Sequence, residues 1–270
     1  LQLFYVVWYI QFEKKQIDHI PTVSGLSKLE TQHLALDRED VQLREVSDIL
    51  TTYITFSKEM VNRLSPEKRR WLSRQLNTAF AENLKKVPIL SLAKPTKQFF
   101  PAASTGYLPD IEIIKRFDES PISDTDEFEL ATFEPMVPIL KTILREIPYI
   151  KIVPLAGTDW DMYSTNHDMI LAAVDVGLSA ETAQISFFIS NGLFPFLSKN
   201  KGTEFVDQLS LVNDLDEFVS KIRAIHKLAV FEDPCLVPLY TLSAYAVSQN
   251  GWDMNMTSVQ MTNKFWHMSR

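Results

Sequence analysis

Apolar residues along this chain recur with two alternating periods. The segment SPEKRRWLSRQLNTAF, residues 65 to 80, places Leu72, Leu76, Ala79 and Phe80 at helical spacing. Ser65 offers an N-cap hydroxyl, and Pro66 takes the first helical position, where the missing N–H has no partner to lose. A second helix is predicted to start at Asp214, with Glu217 three residues on as in a capping box. Leu215, Phe218, Val219, Ile222, Ile225 and Ala229 form its apolar stripe, and Pro234 closes it. Further helices are predicted from Pro135 to Glu146 and from Ala180 to Ser190.

Between these lie short β-rich runs: LFYVV near the start, YITF at 53 to 56, FELATF at 128 to 133, IKIVPL at 150 to 155, MILAAV at 169 to 174 and CLVPLYTL at 235 to 242. Strands that alternate with helices of this length point to an α/β sheet. FELATF, a helix and then IKIVPL make a βαβ unit, for which a right-handed crossover is expected. The acidic stretch RFDESPISDTDEFE, residues 116 to 129, reads as a solvated loop joining two halves of one lobe. The opening LQLFYVVWYI is apolar but too short to span a bilayer, and it has no basic flank or cleavage site. It reads as a strand entering a helix, in a chain that is the interior and end of something longer or a processed product.

Composition narrows the function. At 270 residues and 46% hydrophobic, the chain can build a proper core. A formal net charge of −7 argues against nucleic acid or anionic lipid as a partner, since both need clustered Lys and Arg. Only seven glycines occur, with no Gly-rich phosphate loop. The single cysteine, Cys235, sits in the apolar DPCLVPLY and reads as a buried, inert thiol.

No nucleophile elbow, zinc-binding helix or acid–base constellation is present, so no catalytic residue, metal or cofactor is expected. The histidines are scattered. His167 beside Asp168 reads as a loop histidine next to a strand-start aspartate. DTDE at 124 to 127 and DWD at 159 to 161 lack calcium-loop spacing and read as solvated acidic turns. Trp160 and Tyr163, in the polar GTDWDMYSTNHD, are either a lid over the core or a wall of a ligand pocket.

The order of these segments carries a resemblance that none of them carries alone. FEKKQIDHIPTV looks like a phrase of the kind f-x-x-G-x-I-D in peptide-type solute-binding proteins of ABC transporters. TTYITFSKEMVNRLSPEKRRWLSRQLNTAF resembles their y-l-x-F-N strand and following helix, and FFPAASTGYLPD their P-x-x-x-G-Y loop. FELATFEPMVPILKTILREIPYIKIVPL is similar to their strand–helix–strand unit. HDMILAAVDVGLSAETAQISFFIS resembles their y-D-m-x-l strand, which ends in an aspartate before a turn and a helix. DEFVSKIRAIHKLAVFEDPCLVPLYTLSAYAVSQNGW looks like their C-terminal helix, x-P-x-x-P-L-Y phrase and closing strand.

The resemblance implies a type II periplasmic-binding-protein-like lobe, a mixed sheet flanked by helices. Residues 1 to 250 would form the ligand-binding lobe, and 251 to 270 would return toward a first lobe that is missing here. In the family an aspartate at the position of Asp175 pairs with the α-amino group of bound peptides, and a tryptophan near Trp160 lines the pocket. The expected ligand-binding residues are therefore Asp175, Trp160, Tyr163 and Gly177. The turn after Asp175 reads DVGLSAET, where the family has a D-Y-x-D-P pattern. Asp175 capping a helix at Ser179, or the amides of that turn, is the alternative. The implied function is non-catalytic capture of a small solute, a peptide or similar, for an ABC transporter permease, in the periplasm or outside the cell and associated with the membrane. A cytoplasmic ligand-sensing domain of a transcription regulator and a pocketless interaction module are the rival readings.

Overall fold

The computed structural model describes residues 19–20, 41–90, 93–102, 104–109, 126–155, 167–175, 185, 204–205, 207–209, 211–249, 253–254 and 268–269. Among these residues seven strands form one mixed sheet in the order β1-β7-β2-β6-β4-β5, with β3 also paired to β7. They are β1 (His19–Ile20), β2 (Val41–Phe56), β3 (Ala93–Pro95), β4 (Phe128–Thr132), β5 (Ile150–Pro154), β6 (Met169–Asp175) and β7 (Leu236–Gln249). Strand β4 runs parallel to both β5 and β6, while β2 is antiparallel to β6 and β7. A separate pair, β8 (Asp253–Met254) and β9 (Met268–Ser269), is antiparallel.

Among the described residues four helices accompany the sheet: α1 (Lys58–Arg63), α2 (Pro66–Asn83), α3 (Val137–Ile143) and α4 (Leu215–Lys227). The caps follow the sequence signals. Ser65 Oγ accepts the Lys68 N–H, with Pro66 at the first position of α2. The Asp214 carboxylate accepts the Glu217 N–H at 2.8 Å. Helix α3 is shorter than the predicted span from Pro135 to Glu146. A 3₁₀ turn at Glu134–Met136 precedes it, and it ends where the Leu144 N–H reaches Leu140 O. The expected FELATF–helix–IKIVPL unit is present as β4, α3 and β5.

The two faces of the sheet carry different cores. On one face Ile54, Phe56, Leu130, Met169 and Leu171 pack under Leu72, Leu76 and Phe80 of α2 and Leu140 and Ile143 of α3. Each such side chain, fully removed from water, contributes about 1.5–3 kcal/mol. On the other face Tyr53, Ala172 and Leu236 meet Ile222 and Ile225 of α4 together with Phe99 and Phe100. Adjacent residues of β2 and β6 thus go to opposite cores, as period-two alternation requires. The stripe predicted on α4 is buried at Ile222, Ile225 and Ala229, but Leu215 in the first turn is 69% exposed.

Two irregularities shape the centre. Pro238 lies inside β7 opposite Tyr53, where the register shifts between Thr52 and Tyr53. A proline cannot donate to the ladder, so its presence in an interior strand coincides with the bulge. Past α4 the chain widens into a π turn at Leu228–Glu232. The residues just after that turn are clamped by Arg69 of α2, which is 3% exposed. Its guanidinium donates to the carbonyls of Leu64 and Pro234 and to the Asp233 carboxylate.

Candidate functional site at the carboxyl edge of the sheet

The three parallel strands end on the same side of the sheet, at Thr132, Pro154 and Asp175. Open α/β sheets place ligands outside the carboxyl ends of such strands. Strand β6 continues beyond its last pairing with β4, at Ala131 and Ile170. From there to Asp175 its partner is β2, through Thr51–Val174 and Leu50–Asp175. Along β6, Met169 to Ala172 are buried and Ala173 is exposed.

Other groups border this edge. Thr132 is buried, and its hydroxyl has no hydrogen-bond partner. Next to it, Phe133 is 52% exposed, unusual for a large aromatic. Leu155 N–H closes the β4–β5 end on Thr132 O at 2.7 Å. On the β2 side, Thr51 Oγ1 donates to the carbonyl of Phe99 at 3.1 Å, which fixes a loop beside the strand end. Phe133 is a feature of this edge that the sequence reading did not single out, while the Phe99 loop is the FFPAASTGYLPD segment named there without any role at a strand end. No local signal marked Phe133, because FELATF reads as strand to its last residue.

The backbone of Asp175 is therefore placed at the strand terminus where the sequence reading expected it. Trp160, Tyr163 and Gly177 lie outside the described residues, as do residues 116 to 125, the DWD turn and the predicted LFYVV strand. The predicted helix from Ala180 to Ser190 lies outside them too, except for Ile185.

The opposite, amino-terminal edge carries a charged network. Asp168 Oδ1 accepts from Arg63 at 2.7 Å, and its Oδ2 accepts the Glu129 N–H at 3.0 Å. Glu129 in turn meets Lys151 at 2.8 Å and His167 Nδ1 at 3.1 Å. The hydrogen bond from Lys151, then that from His167, holds the Glu129 carboxyl below its ordinary range. The network pins the start of β6 to α1 and β4. Its carboxylates are taken up by Arg63, Lys151 and His167, and among the described residues no group of His, Cys, Asp and Glu is arranged to hold a metal ion. His167 and Asp168 thus sit at the start of β6, the far end of the strand from Asp175 by about 20 Å of extended chain.

Cys235 is fully buried, its Sγ 3.7 Å from Ala229 O, and burial pushes the thiol up. A thiol so protonated and enclosed has no nucleophilic role.

The sequence matches no protein-family model and no curated protein. Solved structures do resemble it. The ABC transporter substrate-binding protein CtaP from Listeria monocytogenes superposes with a TM-score of 0.67 at 12% identity, over 96% of this chain and 57% of that one. NikZ from Campylobacter jejuni, in complex with Ni(L-His), gives 0.62 at 14% identity, over 98% of this chain and 60% of that one. The ABC transporter-associated periplasmic binding protein DppA from Helicobacter pylori, in complex with the peptide STSA, gives 0.63 at 13% identity, over 97% and 54%. This chain thus spans somewhat more than half the length of these neighbours. At such identities the likeness establishes architecture: the chain has the α/β fold of the peptide- and nickel-type substrate-binding proteins of ABC transporters.

Proposed function

We propose that this protein captures a small solute without chemistry, a peptide or a similar zwitterion, and passes it to an ABC-type membrane transporter. The observation that carries the reading is the common carboxyl edge of β4, β5 and β6, with the backbone of Asp175 at its end, in a fold shared with solute-binding proteins. The ligand would lie against that edge, facing a second lobe that corresponds to the remaining length of the neighbours. Closure of the two lobes about a hinge would exclude water from the bound solute. A carboxylate at position 175 would meet a ligand ammonium in a charge-assisted hydrogen bond, stronger than a neutral one and directional. Trp160, Tyr163 and Gly177 would complete the wall of the pocket.

The reading places the protein outside the cytoplasmic membrane, where the DppA neighbour works as a periplasmic protein. Among the described residues no helix is long and apolar enough to cross a membrane. A thermal-shift screen of the complete protein against short peptides, amino acids and Ni–histidine tests the proposal. A ligand bound only by the folded form must raise the melting temperature. A reproducible upward shift with one class is expected; a flat response across all three contradicts solute capture.

A further inference from the structure

His226, on α4, is 3% exposed and held at both ring nitrogens. Nδ1 lies 2.8 Å from the carbonyl oxygen of Gly106, and Nε2 lies 3.0 Å from the backbone nitrogen of Phe99. A carbonyl only accepts and an amide N–H only donates, so the ring is neutral with its proton on Nδ1. A second proton, on Nε2, would face the Phe99 N–H and remove that group's acceptor. Phe99 is gripped on its other side as well, because its carbonyl accepts from Thr51 beside the Leu50–Asp175 pair. One line of hydrogen bonds therefore runs from α4 through Phe99 to the strand that borders the carboxyl edge.

The loop around this line is closely fitted. Gln98 bridges its base, donating to Leu108 O at 2.6 Å and accepting the Leu108 N–H at 2.9 Å. A Cβ at Gly106 would collide with the Phe100 ring, which stands edge-on to His226 with centroids 5.1 Å apart.

We propose that His226 is an acid-released pin that holds the loop from Gln98 to Leu108 against β2, so that mild acid loosens one border of the candidate ligand site. Its effect on a ligand rests on the proposed function; the pin itself does not.

The surroundings make the ring's charge state decisive. Phe99, Phe100, Ile225, Val230 and Leu236 present apolar surface to it. The titratable groups on the packed elements are engaged or turned away. Arg223 donates to Thr105 O at 3.1 Å, Lys227 pairs with Glu232 at 2.8 Å, and Asp233 pairs with Arg69. Lys97 is exposed, Tyr107 is half-buried, and Tyr53 and the Cys235 thiol lie within the same apolar cluster. Burial lowers the pKa of His226 to about 4, against the smaller opposing pull of the Gly106 carbonyl. When the loop lifts, the ring returns to water and to an ordinary value of about 6.5. The closed loop is thus fully favoured above about pH 6.5. Opening gains up to roughly tenfold per pH unit as pH falls from there toward the folded value.

Hydrogen exchange on the complete, ligand-free protein tests this, so failure of the pin is separable from failure of ligand binding. Protection factors for the Phe99 to Leu108 segment should fall by up to about tenfold per pH unit between pH 6.5 and 4.5, while those of β6 hold. His226→Gln, whose amide can accept from Phe99 and donate to Gly106, should make the loop's protection flat with pH. Loop protection in the native sequence that ignores pH, or that falls in step with β6, overturns the proposal. If the glutamine variant does not fold, the ring titration of His226 by NMR decides: a native value well below 6.5 is expected, and an ordinary value overturns it.

Discussion

The backbone of Asp175 pairs with that of Leu50 in antiparallel register, so β6 keeps a hydrogen-bonded partner up to its last residue. By that point β4 no longer runs alongside, since its last pairing with β6 is at Ala131 and Ile170. The end of β6 is thus a supported projection of a central strand, with Phe99 fastened nearby through Thr51. A residue placed there has a backbone held in register, and recognition of a solute requires such a fixed support.

Replacing Asp175 by Asn keeps the shape of the side chain and removes its charge. If the carboxylate meets a ligand ammonium, the change weakens binding by about 1.5–3 kcal/mol. Isothermal titration with the best ligand from the thermal-shift screen gives the number. Unchanged affinity removes Asp175 from the site.

Arg69 predicts a stability effect. Its guanidinium satisfies two backbone carbonyls and the Asp233 carboxylate while almost wholly buried. Arg69→Ala strands all three acceptors and should cost about 3–5 kcal/mol in urea unfolding. Arg63→Ala removes an ion pair whose arginine is 54% exposed, and should cost about 1 kcal/mol or less. Equal costs for the two variants would contradict the distinction between them.

Cys235 offers a clean readout of cooperativity. It is fully buried between the π turn and β7, and burial raises its thiol pKa. Labelling by an aromatic disulfide should proceed only as fast as the chain opens globally, and should become rapid in denaturant. Fast labelling of the native protein would show that this part of the core opens on its own.

Much of the architecture was legible because it rests on local rules. Ser65 and Pro66 announce α2, Asp214 announces α4, and the runs FELATF, IKIVPL and MILAAV became β4, β5 and β6 with ends shifted by at most one residue. The long strands were read short. β2 extends from Val41, not Tyr53, through the polar residues Glu45, Ser47 and Asp48 and a register shift between Val46 and Leu50, which break the alternation a reader looks for. β7 likewise runs on to Gln249.

What the sequence hid were partnerships of high separation. Arg69 is one of many charged residues in α2, and only the fold brings it to Asp233. His226 was one scattered histidine among five, because its partners are a backbone amide and a backbone carbonyl, which leave no trace in residue type. At the candidate site the strand-end position of the Asp175 backbone was readable from the resemblance in segment order, not from a motif, while Trp160, Tyr163 and Gly177 lie outside the described residues.

The most direct test of the central claim is a crystal structure of the complete protein with a ligand selected by the thermal-shift screen. The account predicts ligand density against the carboxyl ends of β4, β5 and β6, with a cationic group in hydrogen-bond reach of the Asp175 carboxylate. Ligand bound at any other face of the sheet, or that carboxylate enclosed in the core away from it, would contradict the account.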